Sequence, residues 1–415
     1  MYNHISQMEP LYPARTDALE DLARELVAAS AKLEGRLAPP TLEGIRKLLR
    51  VINSYYSNLI EGHSTHPIDI ERAMREDYSK DQDKRDLQTE SKIHIEVQEE
   101  ITRRLTEEPD LNVASPEFLC WIHERFYHRM PERLRWVKSE SGERAYVDAG
   151  LVRTQHVEVG RHLAPAHEAL DSFLERFSSF YDPAKQHGLG PLIALVAAHH
   201  RLMWIHPFLD GNGRVARLFT DAYFLRSRVT GYGLWNVSRG LARAGDSYKA
   251  HLAAADSPRE GDLDGRGNLS NRALTEFCEF FLNVCLDQAM YMDSLLALDK
   301  FVERLEKYAQ LRSARMIPGP ESETETLRPE AGLILRTVAT GGETARGEVF
   351  RLIGIHPRMG SKVLQTLLEE GLVVSDSPKG PVRIGFPTHA AGYWFPDLYP
   401  AESPNRRAFN RPGRL

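Results

Sequence analysis

The sequence predicts a mainly α-helical protein with one short β-hairpin in its middle and a small, separate module at its C-terminus. Three observations carry this. Apolar residues recur at helical spacing through most of residues 15–310. Residues 143–162, ERAYVDAGLVRTQHVEVGRH, interrupt that pattern with alternation, β-branched residues and glycine, which predicts a hairpin or extended flap. Residues 313–329, SARMIPGPESETETLRP, are rich in Pro, Gly, Ser and acidic residues and predict a linker, after which the pattern resets.

The elements follow in order. Residues 16–34 carry Leu19, Leu22, Leu26 and Val27 at helical spacing. After Pro39 and Pro40, Thr41 is a plausible N-cap for a helix over about 41–62. Leu42, Ile45, Leu48, Leu49, Ile52, Tyr56, Leu59 and Ile60 form its apolar face, and Gly62 is its stop. Helices are expected at 85–106 and 115–130, then the hairpin, then helices at 165–181, 191–205, 212–228, 240–254 and 270–307, with a loop at 256–270. Beyond the linker, helices at 330–340, 343–353 and 357–370 precede two strands within 372–387 that flank a Pro-Lys-Gly turn. Three helices and a hairpin in so short a span make a winged helix-turn-helix pattern. The domain plan is an N-terminal helical region (1–110), a core (111–312), the linker (313–329), the winged-helix module (330–395) and a loose tail (396–415).

Composition bounds the function. A chain of 415 residues exceeds what one hydrophobic core usually holds. A net charge of −5 gives no global basic footprint, so any nucleic-acid contact must be local. Cys120, Cys278 and Cys285 are too few for a disulfide framework and read as buried thiols in a reducing compartment. The N-terminus lacks a signal-peptide pattern and no apolar run approaches membrane-span length, so a cytoplasmic protein without membrane association is expected.

The densest chemistry lies in HPFLDGNGRVAR, residues 206–217. His206 falls at the end of one helix and Pro207 prevents its simple continuation. Gly211 and Gly213 let the backbone turn tightly and approach a ligand. A helix starting there offers free N–H groups to an anion. Arg214 and Arg217 add fixed positive charge on one helical face, and Asp210 can ligate a hard cation such as Mg²⁺. A base, a metal ligand, an anion nest and two arginines suit phosphoryl or nucleotidyl transfer, where positioning and charge neutralisation dominate.

This string resembles the Fic motif, HPFx(D/E)GNGRxxR, at every fixed position. The resemblance spans about residues 115–255 and implies AMP transfer from ATP to a hydroxyl side chain of a protein. By position, His206 would be the general base and Asp210 would hold Mg²⁺. Backbone at Gly211, Asn212 and Gly213 would cradle phosphates, and Arg214 and Arg217 would bind the phosphate tail. Relatives that phosphorylate instead carry Lys where this chain has Gly213, which favours adenylylation. SNLIEG, residues 57–62, resembles the family's inhibitory motif, (S/T)xxxE(G/N). Its Glu61 sits at a helix C-terminus, where the macrodipole disfavours an anion, so a cationic partner is expected. In the family that partner is the second motif arginine, here Arg217, with Ser57 one turn back on the same face.

VEVGRHLAP, residues 157–165, resembles the Fic flap, which docks the target segment by strand addition; Val157, Val159 and Gly160 are its candidate residues. Tyr248 matches a family position and could line the adenine pocket, whereas Ala244 stands where Asn is common. His199 and His200 read as core histidines, because their spacing to His206 is not that of a zinc site. His63 and His66 read as a loop near the inhibitory helix, and 270–307 as core or a dimer face. In the winged-helix module Arg358, Ser361, Lys362, Gln365, Lys379 and Arg383 form a small basic face. DNA binding and protein docking through 330–390 stay equally open. The expected partners are a protein substrate, self-modification and a second copy in a homodimer. Two other readings compete: a nucleotide-sensing DNA-binding regulator, and removal of AMP from a modified protein with Glu61 orienting water.

Overall fold

The computed structural model describes residues 2–138, 144–160, 162–320 and 326–400. The helices are α1 (Asp17–Leu33), α2 (Pro39–Ile60), α3 (Pro67–Met74), α4 (Gln82–Glu107), α5 (Pro116–Tyr127), α6 (Leu170–Tyr181), α7 (Gly190–Ile205), α8 (Asn212–Arg226), α9 (Val237–Arg243), α10 (Gly245–Ala255), α11 (Asn271–Leu296), α12 (Leu298–Ser313), α13 (Glu330–Gly341), α14 (Arg346–Ile353), α15 (Pro357–Glu369) and α16 (Thr388–Trp394). Six short strands complete the inventory: β1 (Trp136–Lys138), β2 (Arg144–Tyr146), β3 (Glu158–Val159), β4 (His162–Leu163), β5 (Val373–Val374) and β6 (Arg383–Ile384). The fold is mainly α, as its sequence pattern requires. Contacts divide it into two units: Met1–Gly35, Leu49–Thr65 and Glu76–Ser294 form the first, and Arg36–Leu48, His66–Arg75 and the described residues from Leu295 onward form the second.

In the first unit α7 is mostly apolar and buried on nearly every face from Leu192 to Ile205, with His199, His200 and Arg201 as its buried polar residues. Helices α1, α6 and α8 lie against it, and α4 and α5 flank α8. The last turns of α2 belong here too. That helix starts at Pro39 rather than being capped at Thr41. Pro39 and Pro40 occupy the first turn, where a missing N–H loses no bond, and Thr41 is buried in that same turn. It ends as expected at Gly62, whose φ of +84° suits glycine; the His63 N–H reaches back to the Asn58 carbonyl at 2.9 Å.

The short hairpin expected within 143–162 is the pairing of 158–159 with 162–163 (Val159↔His162), while 144–146 pairs backward with 136–138 (Trp136↔Tyr146). Residues 143 and 161 of that stretch lie outside the described residues. Two helix expectations are corrected. The helix expected at 240–254 is two, broken at Ala244 (φ −102°, ψ 29°). The helix expected at 270–307 is also two, broken at Ala297 (φ −58°, ψ 118°). Cys278 and Cys285 are buried and Cys120 is half-buried.

The second unit carries the three helices α13, α14 and α15 and the strand pair β5–β6, with Val373 opposite Ile384. A single bridge between Thr344 and Val382 adds a further rung. Helix α15 buries Val363, Leu364 and Leu367 and exposes Arg358, Ser361, Lys362 and Gln365. Arg383 is held by Asp376 at 2.5 Å, so one cation of the expected basic face is already paired. The unit is larger than the 330–395 module. Helix α13 packs along α12, whose buried residues include Phe301, Leu305 and Tyr308; the Phe301 ring stacks on Phe386 and Phe395, and the Tyr308 ring meets Trp394 edge-on. Buried Arg312 of α12 makes a two-pronged pair with Glu370 at 2.8 Å. The unpredicted helix α16 packs on α12 and α3. The expected loose tail is not loose through residue 400: Leu398 and Tyr399 are buried. The rest of it, 401–415, and linker residues 321–325 lie outside the described residues. Among the described residues no helix is long and apolar enough to cross a membrane.

Candidate active site

The stretch 206–217 leaves α7, turns and enters α8. His206 ends α7 in the left-handed region (φ 50°, ψ 61°), an arrangement that costs a non-glycine residue roughly 1–2 kcal/mol. Gly211 is also left-handed (φ 80°), and a side chain there would strike the Tyr127 ring. Asn212 ties the turn shut: its Oδ1 accepts the Phe208 N–H at 2.9 Å and its Nδ2 donates to the Phe208 carbonyl at 2.8 Å. Its side chain therefore serves the turn, and its backbone belongs to the first turn of α8. That helix begins at Asn212, so the N–H groups of its first turn form a positive end beside Arg214 and Arg217.

What holds His206 in place is Arg153. This buried guanidinium donates to the His206 carbonyl at 2.8 Å, to the Gln155 carbonyl at 2.7 Å and to the Pro165 carbonyl at 2.7 Å, and the Arg153 N–H bonds the Pro207 carbonyl at 2.9 Å. Burial without a carboxylate partner lowers its pKa to about 10, which still leaves it charged at neutral pH. His162 of β4 bonds the Trp204 carbonyl at 2.8 Å. The C-terminal carbonyls of α7, which no helix bond can satisfy, are thus capped by donors from the hairpin region.

The His206 ring has defined chemistry. Its Nδ1 lies 3.3 Å from the Met203 carbonyl, which can only accept, so the proton of the neutral ring sits on Nδ1 and Nε2 keeps its lone pair. Burial lowers the pKa of the ring to about 4, and the imidazole is neutral at physiological pH.

Asp210 lies across the turn. Its Oδ2 accepts the Tyr127 hydroxyl at 2.6 Å and pairs with Arg214 at 3.0 Å. Burial opposes its ionisation, but Arg214, Tyr127 and the Gly211 N–H overcome that and hold the carboxyl below its ordinary pKa. Both side-chain contacts fall on Oδ2, and the side chain is 36% exposed. One carboxylate oxygen facing outward fits Mg²⁺, which takes one or two carboxylates and completes its shell with water and substrate phosphates. His123 sets the backbone beneath: stacked 4.1 Å from the Phe208 ring, it reaches the Asp210 carbonyl at 3.3 Å.

The two arginines are engaged differently. Arg214 pairs with fully buried Glu90 of α4 at 2.5 Å and donates to the Tyr127 hydroxyl at 2.8 Å. Arg217 donates through Nε to the Ser57 hydroxyl at 2.9 Å and through Nη2 to the Ser57 carbonyl at 3.0 Å and Glu61 Oε1 at 2.6 Å. Burial pushes the Glu61 carboxyl up, but Arg217 and then Arg214 bring its pKa below the ordinary value. Gly213 is fitted to this arrangement, since a Cβ there would lie 2.2 Å from Glu61 Oε1.

Ser57, Glu61, His206, Asp210, Gly213, Arg214 and Arg217 are therefore gathered at one place. Tyr248 is buried nearby with its hydroxyl 2.7 Å from His199 Nε2. His199 also meets the Thr220 hydroxyl at 2.8 Å, as a core histidine would. In the hairpin Val159 is 44% exposed, Val157 is half-buried and Gly160 has open space around it. Sequence reasoning missed Glu90, Tyr127, His123 and Arg153. None belongs to a short motif, and only the fold brings them to the turn.

The comparisons with known proteins concern the family and the fold. Residues 113–224 match the Fic/DOC family. Over 81 residues the chain is 33% identical to the protein adenylyltransferase Fic of Drosophila mojavensis, which is 20% of this chain and 16% of that protein. It is 36% identical over 81 residues to the corresponding protein of Nematostella vectensis, 19% of whose length is covered. The chain thus spans less than a fifth of these relatives. A crystal structure of a Fic family protein from Desulfovibrio desulfuricans G20 shares the fold, with 17% identity and a TM-score of 0.51 over 89% of this chain and 97% of that one.

Proposed function

Starting from a chain that carries a Fic domain at residues 113–224, we propose that this protein is an autoinhibited adenylyltransferase. It moves AMP from ATP to a Ser, Thr or Tyr hydroxyl of a target protein and releases pyrophosphate. The observation that carries this reading is His206, a neutral imidazole whose Nδ1 is anchored to Met203 while Nε2 is free. The target oxygen attacks the α-phosphorus, its proton passes to Nε2, the bond from that phosphorus to the bridging oxygen breaks, and pyrophosphate leaves with the electron pair. Mg²⁺, when bound, neutralises phosphate charge. Asp210 would hold it, and the first turn of α8 with Arg214 would hold the phosphates. Exposed Val159 and Leu163 on the β3–β4 pair offer the target an unpaired strand edge.

Autoinhibition is the second half of the proposal. With Glu61 on Arg217, that arginine is withheld from the nucleotide's terminal phosphate, and ATP settles in a pose unsuited to attack. The Glu61–Arg217 distance of 2.6 Å supports this.

The test is His206→Ala with labelled ATP. AMP incorporation into targets and into the protein itself should fall about 10²–10⁴-fold while ATP binding persists, because the phosphate contacts come from other groups. Transfer at the wild-type rate would remove His206 from the role of base.

A further inference from the structure

A second cluster of ligating side chains lies at the root of the β3–β4 hairpin and shares no residue with the His206–Arg217 constellation. His156 immediately precedes the hairpin, and His167 and Glu168 sit in the short 3-10 turn that follows it. One ligand atom from each of the three lies within 4.8 Å of the other two. The imidazole rings are 4.8 Å apart between centroids, and His167 Nε2 is 3.2 Å from Glu168 Oε1.

We propose that His156, His167 and Glu168 form a binding site for a transition-metal dication of the zinc class, which staples the two limbs of the hairpin together. The donor chemistry selects this class: two imidazole nitrogens and one carboxylate oxygen suit Zn²⁺ and its neighbours, whereas Mg²⁺ and Ca²⁺ take oxygen donors. The geometry is close to what is needed. An ion placed among three atoms this near one another lies within about 2.8 Å of each, and small side-chain rotations reach the roughly 2.0–2.2 Å of zinc bonds to nitrogen and oxygen. The fourth position faces solvent, because His156 and Glu168 are exposed.

The backbone that carries the ligands is already fixed on both limbs. Arg153 donates to the carbonyls of Gln155 and Pro165, the neighbours of His156 on one limb and of the His167 turn on the other. The Ala164 N–H bonds the Val157 carbonyl at 3.3 Å, and the Ala166 N–H bonds the Tyr2 carbonyl at 2.7 Å. An ion would therefore order only side-chain rotamers, not chain, which keeps the entropic cost of binding small. Its effect would be mechanical: the edge carrying Val159 and Leu163 would be held by a metal bond at its base in addition to its few ladder bonds.

The experiment uses the full-length chain without a polyhistidine tag, stripped with a chelator. Zn²⁺ is titrated in competition with a chromophoric chelator, and Co²⁺ is followed by its visible ligand-field absorption, in the presence of excess Mg²⁺. One equivalent should bind, and Mg²⁺ should not displace it. His156→Ala and His167→Ala should each weaken binding by more than about 100-fold, beyond the roughly 10–100-fold typical of a residue that only supports a metal ligand. Glu168→Gln should weaken it less. All three side chains are at least partly exposed, so the variants should keep the wild-type circular dichroism. Zn²⁺ should also slow proteolytic cleavage within 157–165 in the wild type and not in His156→Ala. Binding as tight in either histidine variant as in the wild type, or wild-type binding no tighter than that of a chain carrying both His156→Ala and His167→Ala, would overturn the site.

Discussion

Arg214 and Arg217 stand one helical turn apart, yet their surroundings differ in kind. Arg214 lies in a well built by the core: Glu90 from α4, Tyr127 from α5, and Asp210 from the turn. Glu90 is fully buried, so this charge pair is sealed from water. Arg217 is met by the last turn of one helix. Its anion, Glu61, is 30% exposed and is followed directly by Gly62. Behind it α2 presents buried polar groups to the core: Ser54 bonds the Ser91 carbonyl at 2.8 Å, and Asn58 bonds the Ser91 hydroxyl at 3.2 Å. One arginine is compensated by buried groups of the fold, and the other by a part-exposed glutamate at a helix end. Under the proposed function, the difference separates a part of the scaffold from a part of a switch.

The largest expected effect tests the sealed side. Arg214→Met leaves Glu90 buried with His63 as its remaining ion-pair partner among the described residues, and breaking such a pair typically costs about 3–5 kcal/mol. Denaturant unfolding should show that loss, together with loss of transfer. Arg217→Met should cost less, because Glu61 can turn into solvent. Equal losses for the two variants would erase the contrast.

The next effect tests the releasable side. A charge-assisted hydrogen bond of the Glu61–Arg217 type contributes about 1.5–3 kcal/mol, which biases a two-state equilibrium roughly 10- to 150-fold. Glu61→Gly should raise AMP incorporation, self-modification included, by at least about an order of magnitude. Ser57→Ala should do so more weakly. Adding Arg217→Ala to Glu61→Gly should abolish the gain, since both act through the same arginine. A time course with labelled ATP in which wild type and Glu61→Gly run together would reduce Glu61 to a helix-end residue.

The same contrast explains what could be read before the structure. Both members of the Arg217 pair lie in short linear patterns, HPFLDGNGRVAR and SNLIEG, and each end carries a physical oddity that asks for a partner. Glu90 carries no such signal. It lies in the first half of α4, whose buried residues include Asp86, Gln88, Glu90, Ser91, His94 and Gln98. A helix that buries polar groups defeats a search for apolar periodicity, and Glu90 there looks like solvent-facing charge. Arg153 was hidden for a similar reason, because its partners are carbonyls, which sequence does not display. The breaks at Ala244 and Ala297 were invisible because alanine is the best helix former, and only tertiary packing bends the chain there. The pairing of 144–146 was not read because its partner, 136–138, precedes the stretch that showed alternation. The winged-helix pattern could be read as helices and strands, but not the inclusion of α12, whose apolar face could equally have been covered by the core.

The smallest expected effect concerns the residue that joins the two sides. His63 follows Glu61 by two residues, and its Nδ1 is 2.6 Å from Glu90, the partner of Arg214. Its bond to Glu90 raises the His63 pKa above 6.5, against the opposing effect of burial. A raised pKa means that protonation stabilises the folded arrangement. The contribution is fully present below pH 6.5 and is lost as pH rises through the folded value. Lowering the pH toward 6 should therefore fasten the end of α2 more tightly and deepen the inhibition. His206, with its pKa near 4, stays neutral over the same range and does not confound the reading. Because His63 is 35% exposed, its pair with Glu90 is screened, and about 0.2–1 kcal/mol is the scale for such a contact. The ratio of Glu61→Gly to wild-type transfer rates should thus grow from pH 8 to pH 6 by no more than about fivefold. In His63→Ala that ratio should be flat with pH. A ratio that changes with pH equally in the presence and absence of the imidazole would place the pH sensitivity elsewhere, and His63 would then be only a loop residue resting on Glu90.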